Sequence, residues 1–179
     1  GKQGLLGLDI PEEFGGAGAG DYRFNAVCSE EMSAFTMAVA SSFRIHSDVC
    51  PPYIVHLGPP EQTQRWPPGI ASGETIATLA FTEPSGKWDE SGITTVATAA
   101  GDGWTLNGVK SFVLDGHTAG LIIVAARTDK GVSLFTVAGD AAGVVAPASG
   151  EGIFYAMTGG RLAAEAVDTF LTTGKPRAL

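Results

Sequence analysis

The sequence has 179 residues, of which 44% are hydrophobic and 17% are charged. This is enough chain for one medium domain or two small ones with ordinary soluble cores. The formal net charge of -8 repels phosphate groups, so we exclude nucleic acid and anionic lipid surfaces as partners.

Cysteines, histidines and apolar runs exclude further classes. Cys28 and Cys50 form no CxxC pattern, which favours buried, reduced thiols in a cytoplasmic protein. The histidines lack metal-ligand spacing, so no metal site is predicted. The longest apolar run, residues 120–126, is too short for a membrane span, and no signal peptide is visible. Because the first residue is Gly1, we expect either a fragment or a processed start.

The first 75 residues predict a helical domain that is truncated at its start. A glycine-rich loop over residues 1–20 is followed by Asp21, a plausible N-cap. Five apolar residues then follow at spacings of four, four, three and four, which predicts an amphipathic helix with this stripe in the core. The stripe consists of Phe24, Cys28, Met32, Phe35 and Val39.

Prolines divide the rest of this region. Pro51-Pro52 is expected to stop a helix at Cys50, with a short helix over residues 53–57. The next helix is predicted to begin at Pro59-Pro60 and to run to Trp66. Residues 69–74 are interpreted as a turn-rich connector.

From residue 76 the pattern changes to short β-branched and apolar runs. Strands are predicted over residues 93–98, 104–106, 109–114, 121–127 and 132–137. Asn107-Gly108 predicts a type I′ hairpin turn, and Gly101 to Gly103 a second turn. The fold class is therefore α+β, with N-terminal helices, an antiparallel meander or β-barrel over residues 76–138, and glycine-rich turns plus a C-terminal helix over residues 139–179.

Five short motifs agree in order and spacing. Thr82-Glu83-Pro84 is accompanied by Pro-Glu-Glu-Phe-Gly-Gly at 11–16, Glu-Gln-Thr-Gln-Arg-Trp at 61–66, Gly-Ile-Ala-Ser-Gly-Glu at 69–74 and Leu-Asn-Gly-Val-Lys-Ser-Phe at 106–112. Together these motifs resemble the acyl-CoA dehydrogenase family over residues 4–137.

The resemblance implies a flavoprotein that removes hydrogens from the α and β carbons of an acyl-CoA thioester and passes a hydride to FAD. In this family FAD lies between a β-barrel and a C-terminal helical bundle. Phe81 and Thr82 would line the flavin, and Phe112 would pack against the isoalloxazine ring. Val113 and Leu114 would complete the triplet beside the flavin.

The sequence departs from the family pattern in three places. Trp88 replaces a small serine, so it is expected to contact the substrate and to narrow the acyl-CoA entrance. Leu114 replaces a hydroxyl residue. The C-terminal bundle, which carries the catalytic carboxylate in the family, is not recognisable, so no catalytic residue is assigned. The barrel face that would receive the bundle should be apolar and could drive self-association.

Residues 139–179 show a second resemblance. Gly139-Asp140-Ala141-Ala142-Gly143, the loop at 150–153 and the helix predicted over residues 154–171 resemble the C-proximal FAD motif of geranylgeranyl reductase-like flavoproteins. In that family the aspartate, here Asp140, contacts the ribityl or phosphate part of FAD. A glycine turn followed by an alanine-rich surface helix is the alternative, and a natural or artificial junction near residues 138–143 would explain both resemblances.

Three functions remain open from the sequence. The first is an acyl-CoA dehydrogenase fragment that binds FAD or acyl-CoA and is inactive alone. The second is a non-catalytic helix-plus-barrel interaction module. The third is a remnant of a geranylgeranyl reductase-like flavoprotein.

Overall fold

The protein folds into two compact units. A computed structural model describes residues 1–101 and 103–139, so Asp140 and the predicted C-terminal helix lie outside the described residues. The mixed α+β class is confirmed, whereas the domain boundaries at 75 and 138 stay predictions. The first unit comprises Gly1–Leu79, Thr118–Ile123 and Thr136–Gly139, and the described part of the second comprises Ala80–His117 and Val124–Phe135.

In the described residues, five α-helices precede the first strand. A π-helical segment, Ile45–Val49, joins the second helix to the third. The helices are α1 (Arg23–Phe35), α2 (Met37–Arg44), α3 (Cys50–Leu57), α4 (Pro60–Arg65) and α5 (Pro67–Ser72).

Two predictions about the prolines are corrected. Pro51 and Pro52 lie in the first turn of α3 and do not stop a helix at Cys50. A proline costs little there, because the N–H groups of a first turn have no partner within the helix. For the same reason α5 begins at Pro67 and occupies most of the predicted connector. It ends at Ser72 and is followed by Gly73, whose φ of 79° is left-handed.

The apolar stripe predicted for the core is wrong. Thr36 is extended and separates α1 from α2, so the stripe does not belong to one helix. Phe24, Phe35 and Val39 are exposed, and the buried residue of α1 is Asn25. The Asn25 amide donates to carboxylates of Asp9 and Asp48 at 2.8 and 3.2 Å. The polar side chain of Asn25 can therefore be buried, because these two carboxylates accept its hydrogen bonds.

The N-cap of α1 is Tyr22, and the predicted N-cap, Asp21, lies one residue before it. The Asp21 Oδ1 accepts a hydrogen bond from the Arg23 N–H at 3.0 Å, which satisfies one of the free donors of the first turn. The helix itself begins at Arg23 after Tyr22.

The core of the first unit is joined to the first strand by a histidine. His46 is buried, and its Nδ1 accepts a hydrogen bond from the Ala77 N–H at 3.0 Å. Its Nε2 lies 3.0 Å from the carbonyl oxygen of Ile70, so the proton is on Nε2. The apolar residues of this core are Ile10, Cys50, Ile54, Ile70, Ala71, Ala77, Leu121 and Ile123.

The five strands form one open sheet with the order β1-β4-β2-β3, and β5 also pairs with β4. The predicted central strand is confirmed, since residues 121–126 of β4 are all buried. β2 runs antiparallel to β3 but parallel to β4, so the order is not that of a meander and closure into a barrel is not confirmed. The strands are β1 (Ala77–Ala80), β2 (Val96–Ala100), β3 (Gly103–Asn107), β4 (Leu121–Thr128) and β5 (Gly131–Ala138).

The Asn107-Gly108 hairpin and the strand at 109–114 are also wrong. β3 ends at Asn107 and pairs back onto β2 around Gly101, which has the left-handed φ of 62°. Gly108 is required for another reason: a Cβ there would lie 2.6 Å from the Thr95 Cα. The Asn-Gly pair therefore marks close packing, and residues 109–117 form a loop.

Within the described ranges, no helix is long and apolar enough to cross a membrane. The same part of the chain holds no group of three or more histidines, cysteines or acidic residues that could bind a metal ion. Both thiols are free. Cys28 is half-buried, contrary to expectation, and Cys50 is buried. Burial raises the pKa of Cys50 to about 12.

Candidate active site

The chain leaves β1 at Ala80 and buries the middle residue of the Thr-Glu-Pro motif. The Glu83 side chain is only 2% exposed. Its Oε2 accepts hydrogen bonds from the N–H of Thr94, at 2.9 Å, and from the Thr94 hydroxyl. Its Oε1 accepts from the N–H and hydroxyl of Thr95 at 2.9 and 2.7 Å. The carboxylate thus holds the segment before β2 against the end of β1.

A buried lysine completes this set of donors. Lys110 is 4% exposed, and its Nζ lies 2.7 Å from Glu83 Oε1. The same ammonium group donates to the carbonyl oxygen of Phe81 at 3.3 Å. Lys110 therefore joins the start of the 109–117 loop to both a side chain and the main chain of the 81–83 segment.

The hydrogen bonds decide the charge of Glu83. Burial raises the pKa of this carboxyl group, but the hydrogen bonds from Lys110, Thr94 and Thr95 outweigh burial and lower the pKa to about 2. A general base works best with a pKa near the working pH. Glu83 is therefore poorly suited to act as a general base and is held as a structural anion.

The loop that follows Lys110 is strained and exposed. The Ser111 N–H donates to the Thr82 carbonyl oxygen at 2.8 Å, which brings Phe81, Thr82 and Phe112 into one neighbourhood. Among the described residues, Phe112 and Asp115 are the only non-glycine residues with positive φ, at 54° and 53°. The Phe112 side chain is 88% exposed. Such strain costs about 1–3 kcal/mol and is concentrated at binding sites.

The remaining predicted site residues flank this neighbourhood. Val113 is half-buried and Leu114 is exposed. Trp88 is 79% exposed and follows Lys87, whose backbone packs closely against Gly92. Gly92 packs so closely that a Cβ there would lie 2.9 Å from the Lys87 carbonyl oxygen. Asp140 lies outside the described residues.

Two family models match the chain one after the other. The acyl-CoA dehydrogenase N-terminal domain matches residues 1–74, and the acyl-CoA dehydrogenase middle domain matches residues 78–156. The chain belongs to the acyl-CoA dehydrogenase family.

Curated relatives and solved structures agree with this assignment. The long-chain specific acyl-CoA dehydrogenase of Mus musculus is 40% identical over 144 residues, which cover 76% of this chain and 33% of that protein. The human short-chain specific enzyme is 36% identical over 142 residues, covering 76% and 34%. The chain therefore spans about a third of the length of these relatives.

The fold is shared with dehydrogenases of known structure. An acyl-CoA dehydrogenase from Geobacillus kaustophilus aligns with a TM-score of 0.71 at 35% identity, covering 76% of this chain and 37% of that one. An acyl-CoA dehydrogenase from Bacillus anthracis, complexed with FAD, aligns with a TM-score of 0.71 at 34% identity, covering 78% and 24%.

The match to the middle domain extends beyond the limit expected from the motifs. It reaches residue 156 and so includes residues 139–156, which also resemble geranylgeranyl reductase-like flavoproteins. That second resemblance, and a junction near residues 138–143, stay predictions.

Sequence reasoning found the Thr-Glu-Pro motif but missed the residues that organise it. Thr94, Thr95 and Lys110 lie 11, 12 and 27 positions from Glu83, so no helical or strand period connects them. A usable signal was present in Lys110, a cation inside the motif at 106–112, because a buried lysine requires an anionic partner.

Proposed function

We propose that the second unit forms the flavin-facing part of an acyl-CoA dehydrogenase site, and that the complete protein dehydrogenates an acyl-CoA thioester between its α and β carbons. The observation that carries this proposal is the exposed Phe112, held with left-handed φ beside the Thr82 main chain. A strained, exposed aromatic residue on an anchored loop offers a flat apolar surface to a planar ligand.

The residues present fit FAD, which would accept the substrate hydride when bound. The Phe112 ring would pack against the isoalloxazine, while Val113 and Leu114 would add apolar surface that excludes water. Phe81 and Thr82 would also line the flavin. Asp140 is proposed for the ribityl or phosphate part. The Bacillus anthracis relative is complexed with FAD, which supports FAD as the cofactor.

Trp88 is proposed to contact the acyl-CoA thioester. It follows the Thr-Glu-Pro motif closely, and its ring is exposed. A large ring in place of a small serine would narrow the space available to the substrate. This favours narrow acyl groups over branched ones.

A titration with FAD tests the proposed function. Purified chain should quench FAD fluorescence and become yellow, and Phe112→Ser should weaken FAD binding about tenfold through the lost ring contact. Phe35→Ser is the matched control, because Phe35 is equally exposed, at 84% against 88%, but lies in the first unit. No flavin binding by the parent chain would contradict the proposal and would favour a non-catalytic interaction module.

Addition of substrate separates the remaining alternatives. Bleaching of the bound flavin by an acyl-CoA thioester would favour the dehydrogenase over a geranylgeranyl reductase-like remnant. Steady turnover with an artificial electron acceptor is expected to be absent for these 179 residues alone, because none of their acidic residues matches the family's catalytic carboxylate by motif.

Three further proposals concern the whole chain. The sheet is proposed to close into a barrel in the complete protein. The chain is proposed to be cytoplasmic, because its cysteines are unpaired, and to self-associate through the barrel face that a C-terminal bundle would cover, to which we assign the exposed aromatic side chains of the second unit. These side chains are Trp88, Trp104 and Phe112.

A further inference from the structure

We infer that Lys110 is a positioning residue: by binding Glu83 and the Phe81 carbonyl together, it sets the place of the loop that carries Phe112. The inference deepens the proposed function, because the loop matters only if it meets a flavin. It assigns a role in the site to an ion pair that touches neither cofactor nor substrate.

The geometry separates this role from ordinary packing. Lys110 Nζ lies 2.7 Å from Glu83 Oε1 and 3.3 Å from the Phe81 carbonyl oxygen. The next residue, Ser111, donates its N–H to the Thr82 carbonyl oxygen at 2.8 Å. Two consecutive loop residues are thus fixed to three consecutive residues of the Thr-Glu-Pro segment.

These anchors precede the strained part of the loop. Phe112 follows Ser111 directly and has a φ of 54°, a conformation that an L-residue keeps only when its surroundings impose it. Phe112 is almost fully exposed, so its own side chain supplies little of that constraint. The anchored main chain at residues 110 and 111 therefore supplies the constraint on the side of the loop that precedes Phe112.

The charges make the arrangement rigid. A buried lysine left without its anion is costly, and so is the reverse. Glu83 is itself fixed by four hydrogen bonds from Thr94 and Thr95. The position of the Lys110 ammonium group is consequently fixed by Glu83, and this fixes the start of the 109–117 loop.

Single and double variants of the full 179-residue chain test the inference. Lys110→Met should speed amide hydrogen exchange of peptides within residues 109–117 about tenfold, with no change in peptides from α1 to α5. It should also weaken FAD binding about tenfold, as loss of a supporting contact does elsewhere. Lys130→Met is the matched control, because this lysine is exposed in the turn between β4 and β5.

The double variant Glu83→Gln with Lys110→Met separates positioning from charge balance. It leaves no buried charge unpaired, so its melting temperature should recover relative to both single variants. Loop exchange and FAD affinity should stay impaired, because the link to residue 110 is still broken. If all three properties recover together, the pair only balances charge and the inference is overturned.

Failure of the proposed function would be seen separately. If the parent chain binds no FAD, the flavin proposal fails, and the inference is then decided by hydrogen exchange alone. Unchanged exchange at residues 109–117 in Lys110→Met overturns it. If that single variant does not fold, the double variant is compared directly with the parent by the same two measurements.

Discussion

Glu83 accepts five hydrogen bonds while it is almost completely buried. Its pKa of about 2 in the folded protein lies below the ordinary value of 4.5. Because the folded-state pKa is depressed, the stabilising contribution of Glu83 is complete above about pH 4.5. It is lost as the pH falls from there toward 2.

Glu83→Gln should therefore destabilise the protein at pH 7 by about 3 kcal/mol, since Lys110 is left unpaired. The difference from the parent should shrink as the pH falls from 4.5 toward 2, because the unfolded parent chain then binds a proton at Glu83 that the folded protein does not, which lowers the stability of the parent. Urea unfolding at several pH values measures both effects. Glu74→Gln, at an exposed site, should show neither, and a pH-independent difference for Glu83→Gln would contradict this account.

The motif predicted where the site lies, but not what holds it together. Phe112 was assigned to the site from its place in the motif at 106–112. Its left-handed φ was not predictable, because phenylalanine carries no local preference for that conformation. The conformation follows from the long-range anchors at Lys110 and Ser111, which no short window of sequence contains.

At the scale of elements, Gly108 is where local turn chemistry and tertiary packing give different answers. An Asn-Gly turn would require positive φ, whereas the structure requires that no side chain separate Gly108 from Thr95. Gly108→Ala should therefore destabilise the protein by about 1–3 kcal/mol, as overpacking does, because the Thr95 backbone also donates to Glu83.

Gly103→Ala is the matched control for this prediction. Gly103 begins β3, has no left-handed φ, and a Cβ there would meet nothing nearer than 4.0 Å. Its effect should be within about 0.5 kcal/mol. Thermal or urea unfolding compares the two variants, and equal effects would show that close packing at Gly108 is not what selects glycine.

Helical periodicity was a poor guide to burial in α1 for a related reason. The period identified the helix, but Phe24 and Phe35 face solvent while Asn25 is buried. Asn25 is drawn inward by Asp9 and Asp48, which lie 16 and 23 positions away. Hydrogen-bonding partners that are distant in sequence can determine which face of a helix is buried. The spacing of apolar residues alone does not contain that information.

At the scale of the whole molecule, the positions of most strands were predictable and their order was not. The predicted runs located β3, β4 and β5 to within one residue at each end and overlapped the first half of β2. The parallel pairing of Val96 with Arg127 joins strands that are separated by a loop and another strand. Such pairing depends on tertiary packing, so the succession of short strands does not determine their order in the sheet, and the predicted meander is not confirmed.

Exposed aromatic side chains give the last prediction, which concerns self-association. Large apolar surfaces on a folded chain favour association because burial removes them from water. If the second unit provides the interface, Phe112→Ser should weaken association of the chain, and Phe35→Ser should not. Both rings are similarly exposed, at 88% and 84%, so exposed area alone predicts equal effects. Sedimentation velocity over a range of protein concentrations measures the difference.

FAD supplies an independent check of that interface. If FAD covers Phe112 as proposed, saturating FAD should shift the parent chain toward the monomer by competing for the same surface. It should leave the Phe112→Ser variant unchanged. Weaker association of Phe35→Ser, or association that FAD does not alter although FAD binds, would place the interface elsewhere than at the strained loop that Lys110 and Ser111 anchor.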